Sequence, residues 1–172
     1  MEIGRDVVEN ATWTPDVYVR GCDAFMIACR GILCTTRGEV IIENNRFYHL
    51  RGPALVIEDD CNFWYESGYT RHVIFRNNRV IACNYGGNYP GGPLLCYSPK
   101  VMSETSEAYV HGKLTVEGNE FSNSWRGGKH IFRFEYLSEA EFAGNVFDAP
   151  YEIVTHRSGT VSERENVVSA AE

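Results

Sequence analysis

One short phrase returns down the chain. It reads Val40-Ile-Ile-Glu-Asn-Asn45-Arg-Phe47, then Val73-Ile-Phe-Arg-Asn-Asn78-Arg-Val80. It comes back as Leu114-Thr-Val-Glu-Gly-Asn119-Glu-Phe121 and Ala140-Glu-Phe-Ala-Gly-Asn145-Val-Phe147. Degenerate copies run from Val17 to Cys22 and from Val161 to Val168. Each copy carries two apolar residues at alternate positions, an Asn three residues later, and an apolar residue two beyond that. Successive Asn positions from Asn45 to Asn166 lie 33, 41, 26 and 21 residues apart. A constant strand with insertions of variable length predicts a parallel β-solenoid of about six coils. Unrelated hairpins fit less well, because hairpin loops rarely vary this much in length.

The alternation Val40/Ile42 places every second side chain inside. The Asn then sits where the strand turns, and its amide is expected to bond its counterpart one coil away, about 4.8 Å along the axis. Cys22 stands in the Asn position of the first coil, so the ladder starts at Asn45. A second strand follows each first one, within 31–36, 53–58, 93–97, 130–135 and 151–155, and these stack as a second sheet. The insertions 60–72, 84–92 and 98–112 are rich in Gly, Pro, Tyr, Ser and Asn, which is loop chemistry. Gly86-Gly87 and Gly91-Gly92 read as turn residues. No segment sustains a 3.6-residue apolar period, so little helix is expected. The fold class is all-β.

At 172 residues one domain is expected over 1–172, with 1–16 as an N-terminal segment or partial cap and 169–172 as a tail. A net charge of −7 argues against a nucleic-acid partner, since such proteins usually present a basic face. No run of 18 apolar residues exists, so no membrane span is expected. Met1-Glu-Ile-Gly lacks the basic-then-apolar order of a secretory signal. The sequence as written is therefore read as cytoplasmic, or as extracellular or periplasmic if an upstream segment is missing. Most of the six Cys are expected to be buried thiols. The five His show no metal-binding spacing, and no cofactor is expected. Asp16 and Asp23 are expected to pair with Arg20. Solenoid ends expose sheet edges, so association of copies through those ends is possible.

The densest polar cluster is Glu58-Asp59-Asp60, followed by Trp64 and Glu66. With Thr35-Thr36-Arg37, Tyr97-Ser98, Glu135 and Thr155-His156 it is expected to form a ridge of stacked strand ends. Hydrolysis of a glycosidic bond needs two carboxyl groups. In an extended strand Glu58 and Asp60 share a face at roughly 6.6 Å, with Asp59 on the other face unless the chain bends there. That spacing is near the range that leaves room for an attacking water and inverts configuration. Trp64 offers a flat surface for a sugar ring. A solvated acidic turn with Trp64 packed on the coil remains the alternative.

Glu9-Asn-Ala-Thr-Trp-Thr-Pro15, Arg30-Gly-Ile-Leu-Cys-Thr-Thr-Arg37, Val40 through Phe47, and Ile57-Glu-Asp-Asp60 with Phe63-Trp-Tyr-Glu-Ser-Gly68 occur in this order. Together they resemble the right-handed, pectate-lyase-like parallel β-helix of glycoside hydrolase family 110, the bacterial α-1,3-galactosidases. The resemblance is densest from about residue 9 to 87 and covers a C-terminal portion of that helix. It implies a metal-free inverting hydrolase acting on glycans with terminal α-linked galactose. It further implies Asp59, Asp60 and Glu66 as catalytic acids, and Arg30, Arg37 and Trp64, with the neighbouring Glu58, as sugar contacts. A non-catalytic glycan-binding module or a self-associating structural solenoid are the rival functions.

Overall fold

The computed structural model describes residues 14–60, 69–86, 89, 92–99, 109–122 and 129–169. Every strand pairing among them is parallel, and no helix occurs among them. The first sheet stacks β1 (Val17–Arg20), β4 (Glu39–Glu43), β7 (His72–Arg76), β10 (His111–Glu117), β13 (Leu137–Ala143) and β16 (Thr160–Arg164). The second stacks β2 (Asp23–Phe25), β5 (Arg46–Tyr48), β8 (Arg79–Ile81), β11 (Glu120–Ser122), β14 (Val146–Phe147) and β17 (Val167–Val168). The third stacks β3 (Ile32–Leu33), β6 (Leu55–Ile57), β9 (Leu95–Tyr97), β12 (His130–Glu135) and β15 (Tyr151–His156). The result is a right-handed parallel β-helix, the hand that crossovers between parallel strands almost always take.

The strands after each Asn form a sheet of their own, where the repeat suggested two sheets in all. Residues such as Arg46–Tyr48 are too short to show a period, so the third layer is visible only from its stacking.

Equivalent inward residues line up in columns. Val40, Val73, Leu114 and Ala140 form one, and Ile42, Phe75, Val116 and Phe142 the next, all 0–2% exposed. Phe132 of the third sheet closes on Phe121 and Phe142, with ring centroids 5.0 Å away in each case. Parallel stacking thus converts the period-2 pattern into a continuous dry core.

The Asn ladder runs as expected. The Oδ1 of Asn45 accepts from the Cys22 N–H (2.9 Å), that of Asn78 from Asn45 N–H (2.9 Å), that of Asn119 from Asn78 N–H (2.8 Å). Asn145 and Asn166 continue it at 3.0 Å each. Each Nδ2 also donates to a carbonyl of the neighbouring first-sheet strand, as Asn119 does to Phe75 O at 2.9 Å. These bonds satisfy the turn's buried backbone, which water cannot reach.

Three expectations are corrected. Arg20 pairs with Glu43 on the next coil; Asp23 pairs instead with Arg46 (3.0 Å), and Asp16 accepts from the Glu39 N–H (2.8 Å). Stacking brings like positions of adjacent coils together, which favours cross-coil partners. Among the described cysteines only Cys83 and Cys96 are buried, while Cys22 and Cys29 are exposed. Tyr97 is not on the ridge: it pairs with Phe134 inside the helix and is fully buried.

Beside Tyr97 lies His111, 2% exposed, their rings 5.2 Å apart. The His111 Nδ1 accepts from the Thr70 N–H at 3.2 Å, so the ring proton sits on Nε2, which has no partner among the described residues. Burial holds this histidine neutral, its pKa pulled down to about 4. The unfolded chain takes up a proton near pH 6.5, the folded chain only near 4. Stability from this group is therefore full above pH 6.5 and is lost as pH falls toward 4, by up to about 3 kcal/mol. Urea unfolding at pH 7 and 4.5 should show a drop that is clearly smaller in His111→Leu.

Candidate functional site

Strand β6 carries Leu55 and Ile57 into the core and turns Val56 to the outside. Its outward register partners are Leu33 on β3 and Cys96 on β9. Val56 and Cys96 are nevertheless 0% and 2% exposed. The outer face of the third sheet is therefore covered at these coils, unlike a free solenoid surface.

Three polar groups on adjacent coils flank this covered row and act on one another electrostatically. Arg30 precedes β3, Glu58 follows β6, and Tyr89 lies in the loop before β9. The Arg30 guanidinium donates to the exposed Cys29 Sγ at 3.4 Å. Burial alone would lower the Arg30 pKa, but Tyr89, Cys29 and Glu58 together raise it. Tyr89 is pushed up in turn, first by burial and then by Glu58, with Arg30 opposing. A guanidinium, a carboxylate and a phenol thus share one electrostatic environment on the sheet's outer face, the kind of setting in which functional groups are found.

The acids expected next to this cluster sit where β6 ends. Asp59 adopts a left-handed backbone conformation, φ 50°, which turns the chain directly after Glu58. The extended geometry that would put Glu58 and Asp60 on one face at a strand spacing therefore does not hold; the bend condition applies. Asp60 is 9% exposed and makes a single bridging strand contact. Arg37 stands over the Tyr69 ring, 5.1 Å from its centroid, and its carbonyl accepts from Arg71 Nε at 2.8 Å. Trp64 and Glu66 lie outside the described residues. Tyr89 and Tyr69 escaped the sequence reading; a Tyr inside an insertion carries no local sign of which charged group it will meet.

The stacked coils define the class: a right-handed parallel β-helix protein. No family model matches the chain. It is similar to α-1,3-galactosidase A of Bacteroides fragilis, 38% identical over 121 residues, which is 70% of this chain and 20% of the relative. It is 38% identical to α-1,3-galactosidase A of Akkermansia muciniphila over 142 residues, 83% of this chain and 22% of the relative. α-1,3-Galactosidase B of Bacteroides thetaiotaomicron is 32% identical over 144 residues, again 83% and 22%. The chain matches a part of glycoside hydrolase family 110, the family of these α-1,3-galactosidases. It spans about a fifth of the length of the curated relatives it matches. No described helix is long and apolar enough to cross a membrane.

Proposed function

We propose that this chain acts on glycans ending in α-1,3-linked galactose, hydrolysing the bond with inversion. The observation that carries the reading is the convergence of Arg30, Glu58 and Tyr89 on a covered strand face beside Asp59 and Asp60, in a chain similar to α-1,3-galactosidases along most of its length. In this reading Asp59, Asp60 and Glu66 supply the acid and base. One carboxyl protonates the glycosidic oxygen while another deprotonates the attacking water. Arg30, Arg37, Glu58 and Trp64 hold the sugar, and Tyr89 shapes the wall near Arg30. The turn at Asp59 lets three consecutive acids diverge, so that acid and base approach a sugar from different directions.

The test is proton NMR of the folded chain mixed with an α-1,3-galactosyl disaccharide. Initial release of β-galactose is the expected result. Release of α-galactose would exclude inversion. No release from a chain shown to be folded by circular dichroism would sink the catalytic reading. The short span relative to the relatives favours a second reading, a glycan-binding segment without turnover. Saturable sugar binding without hydrolysis distinguishes it.

A further inference from the structure

A different face of the helix holds a cleft of about 420 Å³ at the corner between the first and second sheets. Its origin lies in two rows of stacked residues. The first-sheet strand ends read Arg20, Glu43, Arg76, Glu117, Ala143 and Arg164 in register. The row alternates in charge for four coils and then shortens to an uncharged methyl at Ala143. The next position turns the chain with positive φ in every coil: Gly21, Asn44, Asn77, Gly118, Gly144 and Glu165. Asn and Glu hold this turn in coils two, three and six, so the backbone does not itself demand Gly in coils four and five. Ala143 and Gly144 leave open the space that the cleft occupies, while the Asn77 side chain lies over Gly118, its Oδ1 2.6 Å from where a Cβ there would be.

The walls are charged but unequally compensated. Arg76 is held by Glu43, with both contacts at 2.6 Å, and the Glu43 pKa is lowered from the usual carboxylate value, first by Arg76 and then by Arg20. Arg164 is turned to Glu141 at 3.2 Å. Neither Glu117 nor Glu165 has an ion-pair partner among the described residues. The lining therefore offers surplus carboxylate acceptors beside guanidinium N–H groups already bound to acids. An anion is disfavoured there. A simple amine satisfies the acceptors only. A hydroxyl donates to Glu117 or Glu165 and accepts from a guanidinium, and the volume lies within the range of small-ligand sites.

We infer that this cleft is a second saccharide-binding site, taking a neutral pyranose unit with Glu117 as its principal hydrogen-bond acceptor. The inference does not rest on the activity proposed for the third-sheet face. Gly144→Asn fills the cleft without disturbing the turn: a Cβ at Gly144 meets nothing within 4 Å, and Asn already occupies the same turn in two coils. Glu117→Gln keeps the shape and removes the charge.

The experiment is a ¹⁵N–¹H titration of the whole chain with methyl α-galactoside and, separately, with lysine methyl ester. The expected result is saturable sugar shifts at the Gly118 and Gly144 amides, absent in Gly144→Asn and weakened about tenfold in Glu117→Gln. Shifts near Arg30 and Glu58 should be untouched by either variant, so the two sites report separately. Sugar shifts confined to the third-sheet face, no shifts at all, or a response of Gly118 and Gly144 to the amine alone would each overturn the inference.

Discussion

Asp59→Asn and Asp60→Asn should each lower hydrolysis of an α-1,3-galactosyl disaccharide by about 10²–10⁴-fold while leaving sugar affinity within a few-fold. The carboxamide is nearly isosteric with the carboxyl but neither gives nor takes the proton that the reaction moves. Asn also tolerates the left-handed backbone of Asp59, φ 50°, so the turn survives that substitution. Asp60 is almost buried, and its exchange for Asn retains size and one acceptor oxygen. Rates are read from galactose release, and thermal unfolding monitors the fold. Two variants that hydrolyse at the parental rate would remove both residues from the acid–base roles. Loss of turnover together with loss of binding would instead point to a structural role at the end of β6.

Asn119→Ala should destabilise the protein by about 3–5 kcal/mol, more than a typical surface change by far. Its Oδ1 accepts from the Asn78 N–H and Nδ2, and its Nδ2 donates to Phe75 O and Asn145 Oδ1. Truncation leaves the Asn78 N–H and the Phe75 carbonyl without these partners in a site that is 1% exposed. Each orphaned buried group costs about 1–3 kcal/mol, and the bonds polarise one another along the ladder. For a chain of this size the melting temperature should fall by about 10 °C. Asn166→Ala, at the half-buried last rung, should cost only about 1 kcal/mol. Equal losses at the two positions would show that the rungs do not act through burial.

Much of this architecture is legible from residues alone because its rule is local and repeats. Two alternate apolar positions and a trailing Asn specify a strand, its inward face and its turn. Adjacent copies then stack with the rungs in register, as the chain of contacts from Cys22 through Asn166 shows. The third-sheet strands, including Leu55–Ile57 and Leu95–Tyr97, fall inside the runs read as second strands, except that the last extends one residue further, to His156. The layer after each Asn was not legible, because two or three residues carry no measurable period.

The candidate site divides in the same way. Arg30, Glu58, Asp59 and Asp60 were picked out by residue type and by resemblance, and the fold brings Arg30 and Glu58 into one electrostatic cluster. Their neighbour Tyr89 was not found. The bend at Asp59, left open by the residues, replaces the strand spacing first considered for Glu58 and Asp60. Tyr97, expected outside, faces inward, because its register with Phe134 outranks its polar tip.

Residue order alone settled the coil, the Asn ladder and the inward columns, because each follows from short-range periodicity and backbone pairing between near-identical neighbours. Tertiary stacking decided which cross-coil charges meet, as Arg20 with Glu43. It also decided which insertion acts on Arg30, and where Ala143 and Gly144 open a cleft. Those outcomes depend on insertions and on register between coils 20 to 40 residues apart, and no local pattern encodes them.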